Sequence, residues 1–113
     1  MDVADLTEDE RVALYAALAH MAAADGRISD GEHHEIGELA EEMGVPDLRD
    51  RLMQAHSDHP TIEALSELVA TVKRRDAREM INTLMFDLAH ADGERGDKEN
   101  DVLDAVTRAW ARG

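Results

Sequence analysis

The chain has 113 residues and a formal net charge of −14, with 43% hydrophobic but only 3% aromatic content and no cysteine. That length suits one domain, residues 1–113, with one modest core, and the absence of cysteine excludes disulfides, thiolate metal sites and a cysteine nucleophile. The acidic balance argues against binding nucleic acid or an anionic membrane surface, since both draw affinity from Lys and Arg.

No apolar run approaches the roughly 18–20 residues that span a bilayer, and Met1-Asp-Val-Ala-Asp5 lacks the basic region of a signal peptide. No direct membrane insertion and a cytoplasmic location are therefore expected. Leu, Ala, Met, Glu and Arg dominate and only two prolines interrupt them, which favours an all-α fold.

In chain order, Thr7-Glu-Asp-Glu10 reads as a capping box. It opens a helix with Leu14, Leu18, Met21 and Ala22 on one apolar face. Gly26 suits the left-handed position after a helix end. Ser29-Asp-Gly-Glu32 is a second capping box, starting a helix near Asp30 that turns Ile36, Leu39, Ala40 and Met43 inward and stops at Gly44. Pro46 begins a short third helix with Leu48, Leu52 and Met53 inside, ending around Ser57-Asp-His59.

The fourth helix is expected from Thr61 to about Lys73, with Ile62, Leu65, Leu68, Val69 and Val72 at helical spacing. Lys73-Arg-Arg75 then suits the negative pole of its dipole. Asp76 caps a fifth helix carrying Met80, Ile81, Leu84, Leu88 and Ala91 up to Gly93. A last helix from about Asp97 offers Val102, Leu103, Val106 and Trp110, the tryptophan as a terminal anchor. Short connections predict a compact bundle of about six helices with antiparallel neighbours.

Two stretches of this pattern coincide. Asp25, Gly26, Asp30 and Glu32 return as Asp92, Gly93, Asp97 and Glu99, each 67 positions on (25 to 92, 32 to 99). The bundle is thus expected to hold an internal two-fold repeat, with halves at about 7–44 and 76–112, each a helix, an acidic corner and a helix. Capping accounts for Glu32 and Glu99, and a first helical turn favours Asp30 and Asp97. It does not account for Asp25 and Asp92, which close helices where the partial charge is already negative. Either each carboxylate turns back to accept loop N–H groups as an Asx-type cap, or a cation sits there.

A cation site would pool Asp25, Glu32, Asp92 and Glu99. Four carboxylates suit calcium or magnesium better than zinc. The EF-hand pattern fails, because Met21 and Ala23 stand where ligands are needed. His20, His33, His34 and His90 do not follow the repeat and are read as exposed helix residues. No catalytic residues emerge: Ser29 and Ser57 lack a nucleophile elbow, and no phosphate-binding glycine loop is present.

The twice-used helix–Ala-Asp-Gly-x-x-x-x-x-Glu–helix pattern, preceded by a further alanine in the first copy and by His90 in the second, resembles the tellurite-resistance TerB-like family, which is related to a domain of DnaJ-type co-chaperones. The resemblance runs from about Leu14 to Trp110. It implies an all-helical bundle with an internal repeat and an acidic cluster, without established catalysis. It further implies binding of metal ions or protein partners under stress, with Asp25, Glu32, Asp92 and Glu99 as the matching positions. Arg27 and Arg95 bring positive charge beside those acids. The expected function is a non-enzymatic domain that binds a divalent cation, a basic protein partner, or both. The rivals are an interaction module whose acids are only caps and, further off, a metal-dependent hydrolase.

Overall fold

The capping box at Thr7 forms as its sequence dictates. The Thr7 N–H donates to Glu10 Oε1 at 2.8 Å, and the Glu10 N–H donates to Thr7 Oγ1 at 3.2 Å. From there α1 runs Glu8–Asp25, with Glu8, Asp9 and Glu10 in the first turn, where the helix dipole favours them. A computed structural model of the chain describes residues 3–25, 34–89 and 97–112, with side chains at 3–23, 37–88 and 101–111. Among the described residues there are six α-helices, a short 3-10 turn at Val3–Asp5, and no strand.

Expected to bury one face, α1 instead buries nearly its whole circumference. Ala13, Leu14, Ala16, Ala17, Leu18, Ala19, Met21 and Ala22 are all fully enclosed. A helix apolar all round belongs in the centre, and α1 packs against α3 (Leu48–Asp58), α4 (Ile62–Ala70), α5 (Arg75–Ala89) and α6 (Asp97–Arg112). The run of alanines makes this feasible, since small side chains let four neighbours approach one helix. Around it, α2 (His34–Met43) packs on α3 and α5.

Side-chain contacts fix the direction of each helix. Arg51 of α3 lies over the Tyr15 ring at 5.8 Å, and five residues on, the His56 ring meets that of His20 at 5.2 Å. Hence α3 runs with α1. Arg74, just ahead of α5, holds Glu10 at the start of α1, so α5 begins at that same end. Trp110 Nε1 donates to the Val69 carbonyl at 2.8 Å, and the Arg78 guanidinium lies 5.6 Å from the Trp110 ring. The ends of α4 and α6 therefore meet the start of α5. Glu42 and Met43, closing α2, face the first half of α5 across a groove. The odd helices run one way and the even helices the other.

The expected elements are present, with local differences. Gly44 ends α2 at φ +72°, the left-handed conformation expected of it. The fourth helix stops at Ala70 rather than Lys73, because the Thr71 hydroxyl and N–H both donate to the Leu68 carbonyl. Arg74 does not serve the α4 dipole; its charge goes to Glu10. Met53 and Ile62, expected inside, are 43% and 38% exposed. Each sits at the margin of a short helix whose narrow inner face is already filled, by Leu48, Leu52 and Ala55 in one case and by Leu65 and Val69 in the other.

Three pairs related by the expected repeat are buried alike: Leu14 with Ile81, Leu18 with Met85, and Met21 with Leu88. Equal inward positions do not make equal halves. Where α1 buries Ala16 and His20, α5 exposes Thr83 and Asp87. One helix is the axis of the bundle and the other part of its wall.

Candidate functional site

The directions of the helices bring the acidic corners into relation. From Glu10 to Asp25, and from Arg74 to Ala89, the chain climbs fifteen residues, about 22 Å of helix in each case. Since Glu10 and Arg74 are in contact and the two helices pack together, the C-terminal ends of α1 and α5 lie at one end of the bundle. The described starts of α2 and α6, at His34 and Asp97, return from that same end.

Asp25 is the last residue of α1, and Glu99 lies in the first turn of α6. Their side chains, and Glu32 and Asp92 entirely, lie outside the described residues. So do the second capping box and the glycines Gly26 and Gly93. The electrostatic setting of the helix ends is visible. Among the described residues, neither α1 nor α5 carries a basic residue in its last turn to offset its negative pole. Glu99, in a first turn, is favoured by its dipole, whereas Asp25 is disfavoured.

Among the described residues no group of three or more His, Asp or Glu side chains is placed to hold a metal. The titratable groups that are buried serve the fold. Glu10 is 6% exposed, and the Arg74 guanidinium holds its carboxyl down at about 2 against an ordinary 4.5. Such an acid is ionised, paired and capping a helix, the opposite of what general acid catalysis needs.

His20 departs from expectation. It is 6% exposed, not solvent-facing, because a central helix leaves a side chain in its last turns nowhere to emerge. Its Nε2 lies 2.8 Å from the His59 carbonyl just past α3, so Nε2 carries the proton and donates. Burial, with the His56 and His59 rings nearby, lowers its pKa below 6.5 despite that hydrogen bond. The signal in the sequence was its setting, Leu18-Ala-His-Met-Ala22, apolar on every side.

A folded-state pKa below the unfolded 6.5 gives stability that is complete above 6.5 and declines as pH falls towards the folded value. Urea denaturation at pH 7.5 and 5.5 should therefore show wild type losing stability on acidification. His20→Gln, which retains a donor for the His59 carbonyl, should flatten that dependence. An unchanged slope in the variant would place the titration elsewhere.

The structure also shows a feature that local patterns could not announce. A groove of about 560 Å³ lies between α2 and α5, lined in part by Met43, Met80 and Leu84 with Glu42, Asp76 and Glu79. Its two walls are over thirty residues apart in sequence.

Comparison with known families bears on the whole bundle. Residues 11–110 match the family described as Tellurite resistance protein TerB. The chain belongs to the TerB family. The match covers the whole of α2 to α5 and most of α1 and α6, in agreement with the resemblance carried by the twin Ala-Asp-Gly corners. Searches of curated proteins and of solved structures gave no match. TerB is not a known enzyme family, and among the described residues of this member no helix is long and apolar enough to cross a membrane.

Proposed function

We propose that this TerB-family chain is a non-enzymatic acidic domain that binds a divalent cation through Asp25, Glu32, Asp92 and Glu99. Calcium or magnesium suits the all-carboxylate set, and zinc suits it less. The setting is a cytoplasmic, tellurite-resistance-like stress response, in which the cation site operates alone or beside a protein partner.

The observation that carries this reading is the shared direction of α1 and α5. Had those helices run oppositely, four carboxylates in two corners could not pool. Instead, the described helix ends flanking both corners lie at one end of the bundle, and neither negative pole there has a basic residue in its last turn. The net charge of −14 adds a field that attracts cations.

The test is calorimetric titration with calcium, magnesium and zinc, paired with thermal denaturation, on wild type and Asp25→Asn/Asp92→Asn. Calcium or magnesium should release or absorb heat and raise the melting temperature, and the double variant should bind at least about tenfold more weakly. Silence with all three ions would remove the cation. The acids would then be caps alone, a reading that has the observed Thr7–Glu10 box behind it.

A further inference from the structure

We propose that the groove between α2 and α5 is the docking site for a basic amphipathic helix of a partner protein. This rests on the partner half of the reading above and is independent of the cation. The groove pairs an apolar floor with an acidic rim. Its floor is aliphatic and deformable: Met43, Met80 and Leu84 are only partly buried and pack against the core from its edge. Methionine floors adapt to varied apolar side chains. Its rim is acidic, formed by Glu42, Asp76 and Glu79.

The rim is also short of positive charge. Glu42 lies in the last turn of α2, which contains no basic residue, so a carboxylate and a helix negative pole reinforce one another. Among the described residues Glu42 makes no ion pair. Glu79 pairs, among the described residues, with Arg75 at 3.3 Å, on an exposed surface where such a pair is weak. Asp76 is within the field of Arg74, whose guanidinium is already committed to Glu10.

An apolar floor between acidic walls is complementary to a helix with aliphatic anchors at i, i+3 or i+4, and i+7, flanked by Lys and Arg. The groove's volume of about 560 Å³ admits the anchoring side chains while the helix body stays outside. A second copy of this chain is a poor occupant, since two molecules at −14 each repel and the rim would meet an acidic surface.

The probe is a fluorescent helical peptide of about four turns, with Leu at those anchor positions and Lys or Arg elsewhere. It is titrated by anisotropy at physiological salt with chelator present, so that corner cations play no part. A scrambled peptide of equal composition is the control. The amphipathic peptide should bind at least about tenfold more tightly than the scrambled one. Glu42→Lys and Glu79→Lys should each weaken it several-fold. Glu67→Lys, an equal charge change at an exposed position of α4, should have little effect.

Backbone amide shifts on binding should concentrate at 42–43 and 79–84. Equal binding of both peptides, or equal weakening by all three variants, would reduce the effect to bulk charge and overturn the proposal. A dimer that Glu42→Lys dissociates would assign the groove to a second copy and overturn it as well. Because chelator is present throughout, a negative result here leaves the calorimetric test of the corners untouched.

Discussion

Glu10→Ala is expected to cost about 3 kcal/mol of folding stability at pH 7, measured by urea denaturation, with most of that difference gone by about pH 2. Two losses combine. The Glu10 backbone N–H keeps its acceptor, Thr7 Oγ1, but the Thr7 N–H loses the carboxylate at the start of α1, for about 1 kcal/mol. The remainder, about 2 kcal/mol, is the bidentate charge-assisted contact from Arg74 Nε and Nη2 to the two carboxylate oxygens. We discount the pair below a fully buried one because the Arg74 side chain is 47% exposed, against 8% for Glu10.

The pH dependence has a definite sign. The Arg74 hydrogen bond, opposed in part by burial, brings the Glu10 carboxyl from 4.5 to about 2 in the folded state. A depressed carboxylate pKa contributes stability that is complete above 4.5 and is lost as pH falls through about 2. Wild type should therefore converge on Glu10→Ala over that interval. Arg74→Ala gives an independent reading, because a carboxyl without its guanidinium should titrate higher. NMR titration of the Glu10 side chain in that variant, showing no rise, would detach the effect from Arg74. The contact matters beyond its energy, since it sets α5 beside α1 from their first turns and so brings both acidic corners to one end.

How much of this was legible beforehand depends on the range of the interaction. The Thr7–Glu10 box, the stop at Gly44 and the Trp110 anchor follow from neighbours within a few residues or from one bulky side chain, and the sequence predicts them. Class and helix number follow from periodicity. What periodicity cannot say is how many sides of a helix are covered. Leu14, Leu18 and Met21 read as a stripe, and alanine, mildly apolar wherever it occurs, gave no sign that Ala13, Ala16, Ala17 and Ala19 would be equally enclosed.

The error at His20 has the same origin, for a polar residue looks exposed until its helix is known to be central. Met53 and Ile62 erred the other way, counted as core on hydrophobicity at positions beyond the width of their inner faces. The Glu10–Arg74 pair spans most of the chain and leaves no local trace. Asp25, Glu32, Asp92 and Glu99 are singled out by repetition, by the dipole argument at the two aspartates and by the family resemblance. The fold contributes their setting: the helices that carry or flank them meet at one end.

The central place of α1 makes a second large effect expected. Leu18→Ala should cost about 3–5 kcal/mol, the range for a leucine cavity in a core that relaxes little. Leu18 has no exposed surface, and the helix that bears it is enclosed by α3, α4, α5 and α6. No neighbour can collapse into the void without disturbing another contact. Against a typical total of about 5–15 kcal/mol, such a loss brings the protein close to unfolding at moderate temperature. The reverse change should also be costly: Ala16→Leu inserts a branched side chain at a fully enclosed position of that helix, for about 1–3 kcal/mol or more. Met53→Ala, at 43% exposure, should stay within about 0.5 kcal/mol. Urea midpoints for the three variants decide the point. If α1 were an ordinary amphipathic helix with one inner face, Leu18→Ala would still be damaging, but Ala16→Leu, on the side opposite Leu14, Leu18 and Met21, would be nearly silent. A large loss from both substitutions is the signature of a helix with no outer face, and it is that helix whose last residue is Asp25.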